Sequence, residues 1–393
     1  MKKSKSKLNI AMICDPIGSN KSGVVVSTLR FGKLLKERGH HVIFVGAKSK
    51  EHKDHSEHFE IKTYRYRGLP IPKSGGWYLA FPTVNELKKV FIEEKIDIVH
   101  IVLPMSGAII AMRAARALNI KIVAHSHSQP ENLFTNMPKF LQPTLFRLWN
   151  KYLMWVYSQA LIIIYPSKLA EEILHWLNKK GQPSRVISNG INLAEYHPMH
   201  VGEFYKKFNI DREKTNLLYL GRLYPEKSLD TLIKAMPHII REAPNTHLML
   251  VGAGHMRDRL ELLTKKLKME KNVKFLGLVS EEDKVHAYNA CDIFILPSLA
   301  ELEGMVVLET MACGKPIIIA DAPMSASRFL VEDNGFLFKH LNPESLAEKT
   351  LKLIKDKNLC EKMGRVSLEK VRKYDIHHSA LLLENVYYEA LEK

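Results

Sequence analysis

Short runs of consecutive apolar residues alternate, through the first half of the chain, with longer stretches in which apolar positions recur every three to four residues. The runs are Leu8 to Cys14, His41 to Ala47, Glu60 to Tyr66, Asp97 to Val102, Lys121 to Ser126, Leu161 to Tyr165 and Arg185 to Ser188. The helical stretches lie near 24–38, 83–95, 107–118, 144–158 and 168–180. Because the runs are apolar on both faces, they predict a parallel sheet covered by helices on each side. After the turn-rich NGINLAEYHP the rhythm restarts, with strands at 216–220, 247–251, 273–276, 292–296, 316–320 and 336–338. Helices at 229–241, 256–268, 281–290 and 305–312 separate them. From Asn342 only helical periodicity remains, and the last helix, Ile376 to Leu391, is expected to brace the first domain. The pattern thus predicts an α/β chain of two Rossmann-like domains, 1–195 and 196–375, with 376–393 returning to the first. No short period recurs, which excludes solenoids. Two doubly wound domains in series place the expected active site in a cleft between the carboxyl ends of their strands.

Composition narrows the class. The chain has 393 residues, enough for two cores, and its 46% hydrophobic and 25% charged residues exclude disorder and fibrous repeats. Cys14, Cys291, Cys313 and Cys360 are far apart, so neither a disulfide framework nor a zinc ribbon is expected, and free thiols suit a reducing compartment. The opening MKKSKSK imitates a signal peptide, but the apolar run behind it is short and meets Asp15 and Pro16. No stretch is long and apolar enough to span a bilayer, so any membrane association is expected to be peripheral. The net charge of +16 is unevenly spread: residues 1–200 hold 29 Lys and Arg against 14 Asp and Glu, residues 201–393 hold 29 against 28. Such a field attracts an anionic membrane or a polyanion through the first half alone.

Candidate chemistry is concentrated at predicted strand ends. In LGRLYPEKSLDTLIKA, Gly221 ends a strand, and Arg222 and Lys227 precede a helix start, an arrangement that suits a phosphate. In SLAELEGMVVLETMACGKPII, Glu301 and Glu309 flank Gly304 at another helix start. The N–H groups near Met305 and Val306 can receive an anion there, and Glu309, one turn in, can accept two ribose hydroxyls. Paired carboxylates alone fit an acid/base couple equally well, and the intervening helix start favours nucleotide-sugar binding. Glu303 reads as a helix-dipole residue. His125 and His127 end the strand IVAH on one side, with no third ligand at metal spacing and no Asp-x-Asp in the chain, so metal catalysis is disfavoured. The His52, His55 and His58 cluster reads as a solvated loop.

These residues carry a resemblance. Gly221-Arg222 with Lys227, Ser298 with Glu301 and Glu309, ACGKP at 312–316, VISNGIN at 186–192 and DNGFLF at 333–338 resemble the family-4 retaining glycosyltransferases of GT-B fold, across both domains. The resemblance implies that Arg222 and Lys227 hold a donor diphosphate, Glu309 the ribose, Glu301 the transferred sugar, and the loop with Leu278 and Val279 the base. It places His127, with His125 second, at the donor sugar, and Gly23 beside the sugar phosphate. Ser22 stands where relatives have a further glycine, and APMSASR brings Arg328 where many have a glutamate. HSHSQPEN and AELEGMVVLE are similar to bacterial 1,2-diacylglycerol glucosyltransferases, which implies a lipid acceptor.

Two further segments bear on that acceptor. YRYRGLPIPKSGGWYLAF carries Arg65, Arg67, Lys73, Trp77, Tyr78 and Phe81 and is expected to form a membrane-touching lip. The apolar positions of 140–157 read first as sheet packing and second as membrane contact. The expectation is therefore a retaining, metal-independent hexosyltransferase without cofactor, moving glucose from a UDP-linked donor to a lipid such as diacylglycerol. It would sit peripherally at the cytoplasmic membrane face. The alternatives are a soluble or polysaccharide acceptor, nucleotide-sugar epimerisation, and a basic nucleic-acid-binding module, for which no motif is present.

Overall fold

The structure, a computed structural model, describes residues 7–18, 23–50, 56–58, 60–71, 76–127 and 142–393. The chain divides into two compact units, residues 1–189 with 377–393, and residues 190–376.

The first unit contains β1 (Asn9–Ile13), α1 (Gly23–Glu37), β2 (His41–Ala47), β3 (Ser56–His58), β4 (Ile61–Tyr66), β5 (Gly68–Pro70), β6 (Tyr78–Ala80) and α2 (Val84–Glu93). There follow β7 (Ile98–Ile101), α3 (Ser106–Ala117), β8 (Lys121–His125), α4 (Gln142–Tyr157), β9 (Ile162–Tyr165), α5 (Lys168–Ile173) and β10 (Ser184–Val186). Its sheet has the order β10-β9-β8-β7-β1-β2-β4-β3, parallel except for the edge pair β3 and β4. β1, β7 and β9 are buried along almost their whole length, as unbroken apolar runs require. Local signals set the helix starts. Thr83 and Glu86 form a reciprocal capping box on α2, where Thr83 N–H donates to Glu86 Oε2 at 2.6 Å. The helix expected at 168–180 stops at Ile173; a 3-10 turn at His175–Leu177 follows, and Asn178 then pairs with the backbone of Gln182 and closes a loop.

The second unit contains α6 (Gly202–Lys207), β11 (Thr215–Leu220), α7 (Leu229–Glu242), β12 (Thr246–Val251), α8 (Arg257–Lys266), β13 (Val273–Gly277), α9 (Glu281–Ala290) and β14 (Ile293–Leu296). It continues with β15 (Ala300–Glu301), α10 (Met305–Ala312), β16 (Ile317–Asp321), β17 (Met324–Ser325), β18 (Gly335–Lys339), α11 (Pro343–Lys355) and α12 (Lys357–Val371). The sheet is wholly parallel in the order β13-β12-β11-β14-β16-β18, so the direction of winding reverses between β11 and β14. Such a reversal opens a crevice at the carboxyl ends of the two strands. The helical tail is three helices, since Asp356 caps α12 through Leu359 N–H at 2.9 Å and a short turn at Arg372–Tyr374 follows it.

The last helix, α13 (Ile376–Leu391), belongs to the first unit. It buries Ala380, Leu383, Val386, Tyr387 and Ala390, a helical stripe, while Glu384 accepts from Arg38 at 2.6 Å and Glu389 from Arg185 at 2.7 Å. All four cysteines are free, and among the described residues no helix is long and apolar enough to cross a membrane.

Candidate active site

The crevice of the second unit brings the expected motifs together. The loop after β11 carries Arg222 and Lys227, and the loop after β14 carries Ser298 to Gly304. The two loops are joined directly: Leu299 N–H donates to Glu226 O at 2.8 Å, and Lys227 Nζ lies 2.6 Å from Glu301 Oε1. Both members of that pair are largely buried, so the ammonium is held in one place with hydrogens to spare for an anionic ligand. Arg222 remains on the surface, where its guanidinium lies over the Tyr224 ring at 4.7 Å and reaches Glu226 at 3.1 Å. The crossing of backbones here requires glycine: a Cβ on Gly252, at φ 133°, would sit 1.9 Å from Gly221 O.

Gly304 starts α10 in the left-handed region, at φ 91°, and no side chain caps the helix. Its first N–H groups, at Met305 and Val306, are therefore available to an anion. Glu309 is buried one turn further in, and two residues of α9 hold it. Lys284 Nζ is 2.8 Å from Oε1, and Tyr288 OH donates to Oε2 at 2.6 Å. A carboxylate has about four acceptor sites, so capacity for two ligand hydroxyls is left. Burial by itself would lower the Lys284 ammonium, but the Glu309 carboxylate outweighs it and the net shift is upward. Burial and Glu309 together push the Tyr288 hydroxyl far up. The sequence reading missed Lys284 and Tyr288, although their spacing of four marks one helix face in EEDKVHAY.

Other expected positions fall nearby in sequence with plainer surroundings. Leu278 is exposed and Val279 half-buried after β13. Arg328 is 2.8 Å from Asp321 at the end of β16, which accounts for the charge it brings. Glu303 is buried beside the helix start.

In the first unit His127 follows β8 and stacks on His125 at 3.9 Å, which in turn stacks on His100 of β7 at 5.8 Å. Tyr387 OH lies 2.8 Å from His100 Nδ1. Burial pushes His127 and His100 down to about 3 and His125 well below its usual value, so the ladder is neutral at pH 7. Asp15, after β1, accepts from Ala80 N–H at 2.8 Å, Ser106 Oγ at 3.0 Å and Gly107 N–H at 3.0 Å. Burial raises it to about 6. Gly23 opens α1, where an added Cβ would meet nothing within 4 Å among the described residues, and Ser22 lies outside them.

The expected lip is divided. Arg65 is not part of it: strand alternation turns the side chain inward, where it is 1% exposed and its guanidinium donates to Ile17 O at 2.9 Å and Ala47 O at 3.0 Å. Arg67 and Phe81 are exposed, and Trp77 and Tyr78 half-buried, around the small antiparallel pair β5 and β6. Lys73, His52 and His55 lie outside the described residues, as does the side chain of His58.

Comparison with known proteins agrees with this geometry. Residues 21–195 match the model of Glycosyltransferase Family 4, and residues 202–369 match that of Glycosyl transferases group 1. A glycosyltransferase of Methanocaldococcus jannaschii is 31% identical over 241 residues, 60% of this chain and 62% of that one. The alpha-monoglucosyldiacylglycerol synthase of Streptococcus pneumoniae is 23% identical, over 96% of this chain and 87% of its own. The N-acetyl-alpha-D-glucosaminyl L-malate synthase of Bacillus anthracis is 26% identical over 98% of each. Among solved structures, Anabaena HepE in complex with UDP and glucose superposes with a TM-score of 0.78 at 19% identity, covering 97% of this chain and 100% of that one. The chain is a family-4 glycosyltransferase with the GT-B fold, built from two Rossmann-like domains.

Proposed function

We propose that the protein is a retaining, metal-independent glucosyltransferase that carries glucose from UDP-glucose to a diacylglycerol-type lipid, working peripherally at the cytoplasmic face of the membrane. The observation that carries this reading is Glu309, aimed by Lys284 and Tyr288 one turn inside a helix that begins at Gly304, just after the loop in which Glu301 pairs with Lys227. In this reading Glu309 accepts the ribose hydroxyls and Leu278 and Val279 line the base. Arg222, Lys227 and the N–H groups of Met305 and Val306 receive the diphosphate as it gains charge. Glu301 and the neutral His127 hold the glucose hydroxyls. The acceptor hydroxyl forms its bond to the anomeric carbon on the face the diphosphate leaves, and its proton passes to the departing phosphate oxygen.

The UDP complex of HepE and the pneumococcal relative's name support the donor and the lipid. A second reading, transfer to a small soluble acceptor, is favoured by the Bacillus anthracis relative. A transfer panel decides between them: UDP- and GDP-sugars are offered with diacylglycerol in anionic liposomes or with L-malate in solution. The expected result is consumption of UDP-glucose with the lipid and an α-linked product. Transfer to malate alone favours the second reading.

A further inference from the structure

α4 is apolar on two sides, and only one of them is used for packing. Leu153, Val156 and Tyr157 are buried, and Tyr152 OH donates to Pro104 O at 2.8 Å. At about 100° per residue, Arg147, Lys151, Trp155 and Leu148 share an arc of about 100° on the opposite side. All four are exposed, Leu148 at 59% and Trp155 at 41%. The helix contains no Asp or Glu, and neither Arg147 nor Lys151 makes an ion pair among the described residues. Two cations beside a protruding leucine and tryptophan, with no compensating acid, combine attraction to an anionic surface with insertion into its interface.

The setting points the same way. The first unit holds 30 Lys and Arg against 16 Asp and Glu, and the second 28 against 26, so the helix lies on the unit that carries nearly all the excess charge. α4 is also tied to the β5–β6 hairpin, with its exposed Leu69, Arg67 and Phe81. Tyr152 bonds the loop before α3, and Asp15 joins the start of α3 to Ala80 of β6. We infer that the outward face of α4, Arg147, Leu148, Lys151 and Trp155, is the surface through which the protein docks on an anionic bilayer. The inference rests on the lipid-acceptor reading above and names the surface that serves it.

The test uses the full chain with sedimented vesicles of phosphatidylcholine, alone or mixed with phosphatidylglycerol. Leu148→Gln with Trp155→Gln should lower binding to the mixed vesicles at least about tenfold and leave UDP titration unchanged, because both side chains are exposed. Arg147→Gln with Lys151→Gln should lower binding only where phosphatidylglycerol is present, and raising salt should abolish the difference. Either of two results with the variants overturns the proposal: apolar variants that bind as tightly as the parent, or variants that change only the mass measured by light scattering, which makes the face a contact between copies. A parent chain that binds no vesicles also overturns it. Transfer to detergent-dispersed diacylglycerol is measured separately, so a lipid acceptor can survive the loss of this docking surface.

Discussion

The ribose role proposed for Glu309 requires a carboxylate that is both charged and aimed, and α9 supplies the aiming groups, Lys284 and Tyr288. Glu309→Gln keeps the shape and removes the charge. It should weaken UDP binding by about 2–3 kcal/mol, since hydrogen bonds to a charged group are worth about that much, and isothermal titration calorimetry reads it directly. Unchanged affinity would take Glu309 out of the site. The histidine ladder carries a pH signature. His100 and His127 fall from 6.5 in the unfolded chain to about 3 in the folded one, so between these values the unfolded state binds more protons and stability drops as pH falls. For His100, which is fully buried, the loss at pH 5 is on the order of 2 kcal/mol. Asp15, raised from 3.8 to about 6, has the opposite sign within that window, one group against the ladder. Melting temperature should therefore fall from pH 7 to pH 5, and His100→Phe should reduce the fall; an unaltered pH dependence would mean that His100 is not held neutral.

At the scale of elements, the site depends on where helices begin. α10 starts at a left-handed glycine because Ser327 leaves no room for a side chain, and an added Cβ would lie 2.1 Å from Ser327 Oγ. Gly304→Ala should destabilise the protein by about 1–3 kcal/mol in urea unfolding and also weaken UDP binding, because the strain is relieved by turning the first N–H groups of α10. Loss of stability with full UDP affinity would show that those groups do not meet the phosphates. α9 contributes differently. Its start is fixed by Ser280, which accepts from Asp283 N–H at 3.0 Å, and this cap sets the phase that turns Lys284 and Tyr288 toward Glu309.

For the whole molecule, the division of charge matters more than its total. The second unit is almost neutral overall, 28 cations against 26 acids, and its Arg222 and Lys227 are each paired with a carboxylate, Glu226 and Glu301. In the proposed reading the phosphate ligands are these two cations and the N–H groups at the start of α10, which do not call for a divalent ion. Transfer should accordingly persist at full rate in EDTA, and activity lost to the chelator and restored by magnesium or manganese would refute the assignment.

Periodicity and spacing determined most of the fold and part of the site. Apolar runs without alternation can be buried only in a sheet covered on both faces, so nearly every main strand and helix was legible, and β11 and α10 fall within a residue of their expected bounds. The two loops that meet in the second unit were legible too, because Gly221, Arg222 and Lys227 on one, and Glu301 and Glu309 on and after the other, lie close together along the chain or at fixed helical spacing. What the chain could not announce depends on which residues meet across elements. The hairpin of β5 and β6 and the short pair of β15 with β17 are too brief to show a period. Arg65 looked like a surface cation because its composition suited one, yet its place on β4 turns it to the backbone carbonyls of the interior. Lys284 and Tyr288 stand more than twenty residues from Glu309, and His100 is as far from His125; only the packing of α9 on α10, and of β7 beside β8, decides that these groups touch and that burial keeps the imidazoles neutral.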